Sequence, residues 1–226
     1  MQHRDFIALL KDNGIGVFTT EYAARLLGKS RRYAAIFVGS SRDIENVEKG
    51  KYCIKGTDVD VVATHIVYPS YLSLISSLRF YNLTTQLPKE KYVITTRVHR
   101  TLKFRGYIIK FIKTSKKLLF GFENVNGTVV ASPEKAFIDH IYLKKRIGYT
   151  EEFDSAVAAG KMDMTILKKY AIMSGNHNLI NRLGHFLESR SINADDLMEY
   201  RSRNYANIGN GDEKDARWRV IYEDST

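Results

Sequence analysis

The sequence predicts an α+β protein: an N-terminal winged helix-turn-helix, followed by a larger mixed α/β domain with an antiparallel sheet and several helices. Three observations predict it. Residues 18–56 run from a capped amphipathic stretch through a glycine stop to a second stretch opening on arginines, then to two extended segments around a lysine-bearing turn. Downstream, β-branched and aromatic runs alternate with runs of helical period. At 226 residues the chain is also longer than one small module needs, so a second domain should follow. The expected division is residues 1–56, 57–200, and 201–226 as a tail or closing strand.

The opening MQHRDFIALLKDNG alternates polar and apolar residues around Asp5, which predicts an amphipathic first helix rather than an export signal. Thr19 or Thr20 can cap the next helix, Glu21 suits its positive end, and Ala23, Ala24, Leu26 and Leu27 supply the apolar stripe that Gly28 ends. Ser30 is placed to cap a further helix, with Arg31, Arg32 and Tyr33 in its first turn, the part of a recognition helix that meets base edges. Ile44 to Val47 and Tyr52 to Ile54 read as strands, joined by the turn Glu48-Lys49-Gly50-Lys51. Gly56-Thr57-Asp58 marks the boundary, with Thr57 as cap of a short helix through Val61 and Val62.

In the second part, residues 69–81 place Tyr71, Leu74, Ile75, Leu78 and Tyr81 at helical spacing and predict one helix. Tyr92 to Val98 and Tyr107 to Ile112 read as strands. A hairpin is expected over 119–131, turning at Asn126-Gly127, where a type I′ turn needs positive φ. Ser132 and Pro133 then start a helix with Ala136, Phe137, Ile141 and Tyr142 inward. Helices are also expected over 152–159, 164–173, 179–187 and 194–200. Trp218 to Tyr222 returns to strand character after the loop-like 207–212.

A net charge of +10 favours polyanionic partners. A single cysteine, Cys53, allows no intramolecular disulfide and no cysteine-based zinc site, which fits a cytoplasmic protein, and no apolar run is long enough to cross a bilayer. The residues placed to reach duplex DNA are Lys29, Ser30, Arg31, Arg32 and Tyr33 at the helix start, with Lys49, Lys51 and Lys55 on the hairpin. A second basic surface is expected within 89–117, which carries ten Lys or Arg against Glu90 alone; its candidates are Arg97, Arg100, Lys103, Arg105, Lys110 and Lys113.

Two other readings compete. An RNA-binding regulator would stack unpaired bases on Tyr92, Phe104, Tyr107 and Phe111. An enzyme would use Glu134, Asp139 and His140, but Glu134 and Asp139 lie five apart, off the i, i+4 spacing that aligns one helix face. There is no HExxH pair and no GxxxxGK[ST] phosphate loop, and Gly14-Ile15-Gly16 lacks a nucleotide fingerprint's context, so neither catalysis nor a cofactor or metal is expected.

The order of these pieces resembles the AbiEi antitoxins of abortive-infection, type IV toxin–antitoxin systems. Residues 4–56 are similar to that family's winged helix. The larger part is similar in Tyr71 to Leu83 (YLSLISSLRFYNL), in Val93-Ile94-Thr95-Thr96-Arg97, and in Phe120-Gly121-Phe122-Glu123 leading to Ala131-Ser132-Pro133-Glu134-Lys135-Ala136. Ser77 and Asn82 stand where the family usually has a small residue and a glycine. The resemblance implies a repressor that binds inverted repeats at its own promoter, and two-fold operators favour two copies bound side by side. It also implies an antitoxin that counters a nucleotidyltransferase toxin.

Overall fold

The computed structural model describes residues 1–143, 150–208 and 211–223 of a mixed α+β chain. In chain order it begins α1 (His3–Asp12), β1 (Val17–Thr19), α2 (Thr20–Leu27), α3 (Arg31–Gly39), β2 (Ile44–Glu48) and β3 (Lys51–Ile54). The three strands form a small antiparallel sheet in the order β1-β3-β2. Each helix start is satisfied by its own sequence. Gln2 and Asp5 make a reciprocal capping box on α1, the Thr19 hydroxyl accepts from the Tyr22 N–H, and the Ser30 hydroxyl accepts from the Tyr33 N–H. Gly28 ends α2 at φ 60°, a left-handed conformation that L side chains adopt only with strain. Phe6, Leu10, Phe18, Ala23, Ala34, Val38, Ile44 and Ile54 close a continuous apolar core beneath these elements.

The chain continues with α4 (Val59–His65), β4 (Ser70–Leu72), α5 (Ile75–Phe80), β5 (Glu90–Thr95), β6 (Leu102–Phe104), β7 (Tyr107–Lys113), β8 (Phe122–Val125) and β9 (Thr128–Ala131). Six strands form a sheet in the order β6-β7-β5-β4-β9-β8. It is mixed rather than antiparallel, because β5 pairs β7 and β4 pairs β9 in parallel. The unanticipated β6 is the reason at one edge: it pairs antiparallel on the far side of β7, so β7 enters beside β5 in the same direction. Asn126 and Gly127 have φ 50° and 87°, as the hairpin turn requires.

Residues 69–81 are not one helix. Ser70–Leu72 pair with Val93–Thr95, Leu74 takes φ 58°, and only then does α5 begin. All of 70–78 is buried, so helical spacing of apolar residues could not distinguish a strand from a helix there. Asn82, where the resemblance expects glycine, has φ 56°, a left-handed position asparagine tolerates. The cap of α4 is Asp58, whose carboxylate accepts from the Asp60 N–H at 2.7 Å, and not Thr57.

Then follow α6 (Pro133–Leu143), α7 (Thr150–Ala158), α8 (Met164–Met173) and α9 (His177–Glu188), a 3-10 turn (Asp195–Tyr200), and β10 (Ala206–Ile208), β11 (Glu213–Asp215) and β12 (Val220–Tyr222). Tyr142 faces out of α6 rather than in. The last three strands form their own sheet, β10 parallel and β11 antiparallel to β12, so the described part of 201–223 is ordered. Of the expected loop 207–212, Gly209 and Asn210 lie outside the described residues, as do Asp224–Thr226. Trp218 is fully buried against Gly184, where any Cβ would sit 2.1 Å from the indole ring.

Compactness divides the chain differently from the linear order expected. One compact unit comprises Met1–Leu72, Leu87–Thr114 and Glu123–Val130; the other comprises Ser73–Gln86, Ser115–Phe122 and Ala131–Thr226. In the second unit Phe120 and Gly121 meet Lys135 of the ASPEKA segment. Lys135 and Asp139, one turn apart on α6, form a fully buried ion pair, the Ser73 hydroxyl donates to the other Asp139 oxygen at 2.8 Å, and the Lys135 ammonium lies 4.9 Å above the Phe120 ring. Gly121, at φ 67°, leaves no room for a Cβ between Tyr170 and Lys135.

A charge buried without its partner is far costlier than the pair is favourable. Lys135→Met should therefore destabilise by about 3–5 kcal/mol in denaturant titration, and Lys135→Met with Asp139→Leu by much less. His140, stacked on Phe153 at 4.7 Å, is held neutral by burial, its imidazole pushed down to about 4. The unfolded imidazole takes its proton near pH 6.5. Stability from this group is present above that value and is lost as pH falls through about 4. Melting temperatures between pH 7 and pH 4 should decline, and less steeply in His140→Phe.

Candidate nucleic-acid interface

The candidate interface lies in the first compact unit and is built on α3. Ser30 fixes where α3 starts, which sends Lys29, Arg31 and Arg32 into solvent at its positive end. Arg31 lies 3.9 Å from Glu21, but both side chains are well exposed, and such a pair contributes little. Tyr33 is 49% exposed with its ring stacked on Phe37, and Ile36 is 66% exposed. Arg32, Ile36 and Gly39 share the outward face, while Ala34 and Val38 hold the helix to the core. Ile36 was missed as a surface residue, although its spacing of four from Arg32 was there to find. Arg42, exposed between α3 and β2, also escaped, since a lone arginine in a turn carries no pattern.

The β2–β3 hairpin stands beside α2. The Gly50 carbonyl accepts from the Thr20 N–H at 3.0 Å, and Gly50 itself has φ 76°. Lys49 at the tip and Lys55 after β3 are exposed. Lys51 is not available in the same way: its ammonium donates to Glu48 at 2.8 Å and to the Ile66 carbonyl, so it fastens the hairpin. Its alternation along the strand gave no sign of this. Burial works to raise the Glu48 carboxyl, but Lys51 and His99 beside it outweigh burial and hold it below the usual carboxylate range. Cys53 is buried in β3, and burial pushes its thiol up to about 11, leaving it unreactive near neutral pH.

The second basic surface separates into free and committed groups. Arg97, Lys103 and Lys113 are exposed, and Arg100 is exposed with its guanidinium 3.9 Å from Glu48. Arg105 is committed: it donates to Glu45 at 2.8 Å and to the Thr57 carbonyl at 2.6 Å, and it covers the Phe104 ring. Lys110 pairs with Glu90 over the Tyr92 ring. The strand aromatics are not an open platform either. Tyr92 and Phe104 are buried, Tyr107 lies under Lys91, and Phe111 meets His99 edge-on.

The residues an enzyme would use are spent on packing in the second unit. Asp139 is bound to Lys135 and Ser73, His140 is stacked between aromatic rings, and Glu134 accepts from the Asp163 N–H at 3.0 Å. Among the described residues no three of His, Cys, Asp and Glu gather where they could hold a metal ion, and no helix is long and apolar enough to cross a membrane.

No family model matches the chain, and no curated protein matches it. Among solved structures, the chain is similar to the crystal structure of RV2827C protein from Mycobacterium tuberculosis, with a TM-score of 0.62 at 13% identity over 96% of this chain and 90% of that one. Likeness at that identity extends to the fold, which the two share over nearly their whole lengths.

Proposed function

We propose that the chain is a cytoplasmic, DNA-binding transcriptional repressor in which residues 4–56 act as a winged helix, α3 entering the major groove and the hairpin lying on phosphates. The observation that carries this reading is the state of the α3 start: Lys29, Arg31 and Arg32 project into solvent from a capped helix end, engaged by no buried carboxylate among the described residues. Other cations of the same unit are held by their own chain, as with Lys51, Lys91, Arg105 and Lys110. Cations left free beside ones that are paired suit an external polyanion. The resemblance to AbiEi antitoxins gives the biological form: autoregulation at inverted repeats by two copies, and neutralisation of a nucleotidyltransferase toxin. Burial of Tyr92 and Phe104 weighs against the RNA-stacking alternative.

The test is an anisotropy titration of the purified protein against duplex spanning its own upstream region and against a scrambled duplex. Arg31→Ala and Arg32→Ala should each cost about 1–3 kcal/mol on the native sequence and narrow the gap between the two duplexes. Lys49→Ala should weaken both duplexes alike and lower the salt slope by about 1. Affinities unchanged in all three variants would remove the reading. For the antitoxin role, co-expression with a neighbouring nucleotidyltransferase should restore growth, and failure to restore it would leave a repressor only.

A further inference from the structure

The segments around the hairpin tip are locked into one ridge. The Thr95 hydroxyl, fully buried, donates to the Pro69 carbonyl at 2.8 Å and accepts from the Arg97 N–H at 3.2 Å, so residues 68–69 and 96–97 share one anchor. The His99 ring packs edge-on against Phe111 at 4.5 Å, and its Nε2 lies 3.1 Å from Glu48. From the hairpin side, Lys51 reaches the Ile66 carbonyl. Three separate stretches of chain, 48–51, 66–69 and 96–101, are therefore fixed to one another through buried or half-buried polar contacts.

What the ridge displays is unusual for a solvated surface. Tyr68 and Val98 are each 82% exposed, the most exposed of the large apolar side chains among the described residues. Single exposed apolar residues are ordinary, but here two flank one buried hydroxyl and stand among Lys49, Arg97 and Arg100, all exposed. The carboxylate at the ridge, Glu48, is engaged by Lys51 and His99, and the largely exposed Arg100 guanidinium lies 3.9 Å from its other oxygen. An apolar pair among exposed cations matches the chemistry of side chains that wedge between base steps in a minor groove while arginines follow its phosphates.

We propose that this ridge is a second contact with duplex DNA: Val98 and Tyr68 press into the minor groove flanking the major groove that α3 enters, and Arg97 and Arg100 hold the adjoining phosphates. It rests on the reading of the chain as a duplex-binding protein. A single-stranded partner is less suited, because stacking of successive bases needs successive open aromatic faces and the ridge offers Tyr68 alone among exposed rings. Glu48 is a positioning residue in this arrangement; it fixes the ridge without touching DNA.

Hydroxyl-radical footprinting of the full chain on its own upstream duplex, with salt-dependent titration, tests this. Wild-type protein should protect the α3 segment and a neighbouring minor groove. Val98→Asp should lose the minor-groove protection alone and bind at least about tenfold more weakly; Arg97→Ala with Arg100→Ala should do the same and lower the salt slope by about 2. These side chains are exposed, so circular dichroism should stay that of wild type. If both variants keep the wild-type footprint and slope while Arg32→Ala loses binding, the ridge proposal falls and the function proposed above stands. If wild-type protein prefers single-stranded RNA to the duplex, both fall.

Discussion

The tie between the hairpin and the loop after β5 depends on one carboxylate. Glu48 ends β2 and takes the ammonium of Lys51 across the turn and the imidazole of His99 from the loop after β5. A two-stranded hairpin is marginally stable by itself in water. Here β1 adds a third strand, Thr20 takes the Gly50 carbonyl, and the half-buried Glu48 cluster supplies an electrostatic clamp that solvent screens less than a surface pair.

The same economy of charge organises the rest of the first unit. Asp60 holds Lys91, Glu45 holds Arg105, and Glu90 holds Lys110. The exposed cations include Lys29, Arg31 and Arg32 at the α3 start, Lys49 at the hairpin tip, Arg97 and Arg100 in the 96–101 loop, and Arg42, Lys55, Lys103 and Lys113 elsewhere, so the strongly basic sequence divides into cations tied to carboxylates of their own chain and exposed ones. In the second unit one buried pair, Lys135 with Asp139, plays the organising part. Its satisfaction by Ser73 and its cover by Phe120 explain why a glycine at 121 and a lysine at 135 must meet.

Local chemistry was legible in the residues. Thr19, Ser30, Ser132 and Asn126-Gly127 act at the positions their side chains favour, because caps and tight turns are settled within four residues. The stretch over 69–81 was misread because apolar burial on every side erases the difference between a period of two and one of 3.6. Strand β6 is three residues long and escaped for want of length, and with it went the direction of β7. In the candidate site, Arg31, Arg32 and Lys49 lie where their places in the pattern put them, whereas Lys51, Arg105 and Lys110 do not stand free.

By itself, then, the sequence determined where α2, α3 and α6 begin and where α2 stops, which end of α3 is cationic, and that the chain carries an excess of positive charge. Only the tertiary structure decided which cations remain free, which strands run parallel, and that the Tyr68 and Arg97–Arg100 segments join the hairpin tip. The physical reason is range. Capping, turn geometry and net charge are properties of neighbours along the chain, while an ion pair such as Glu48 with His99 forms between residues separated by 51 positions and exists only once the backbone has brought them together.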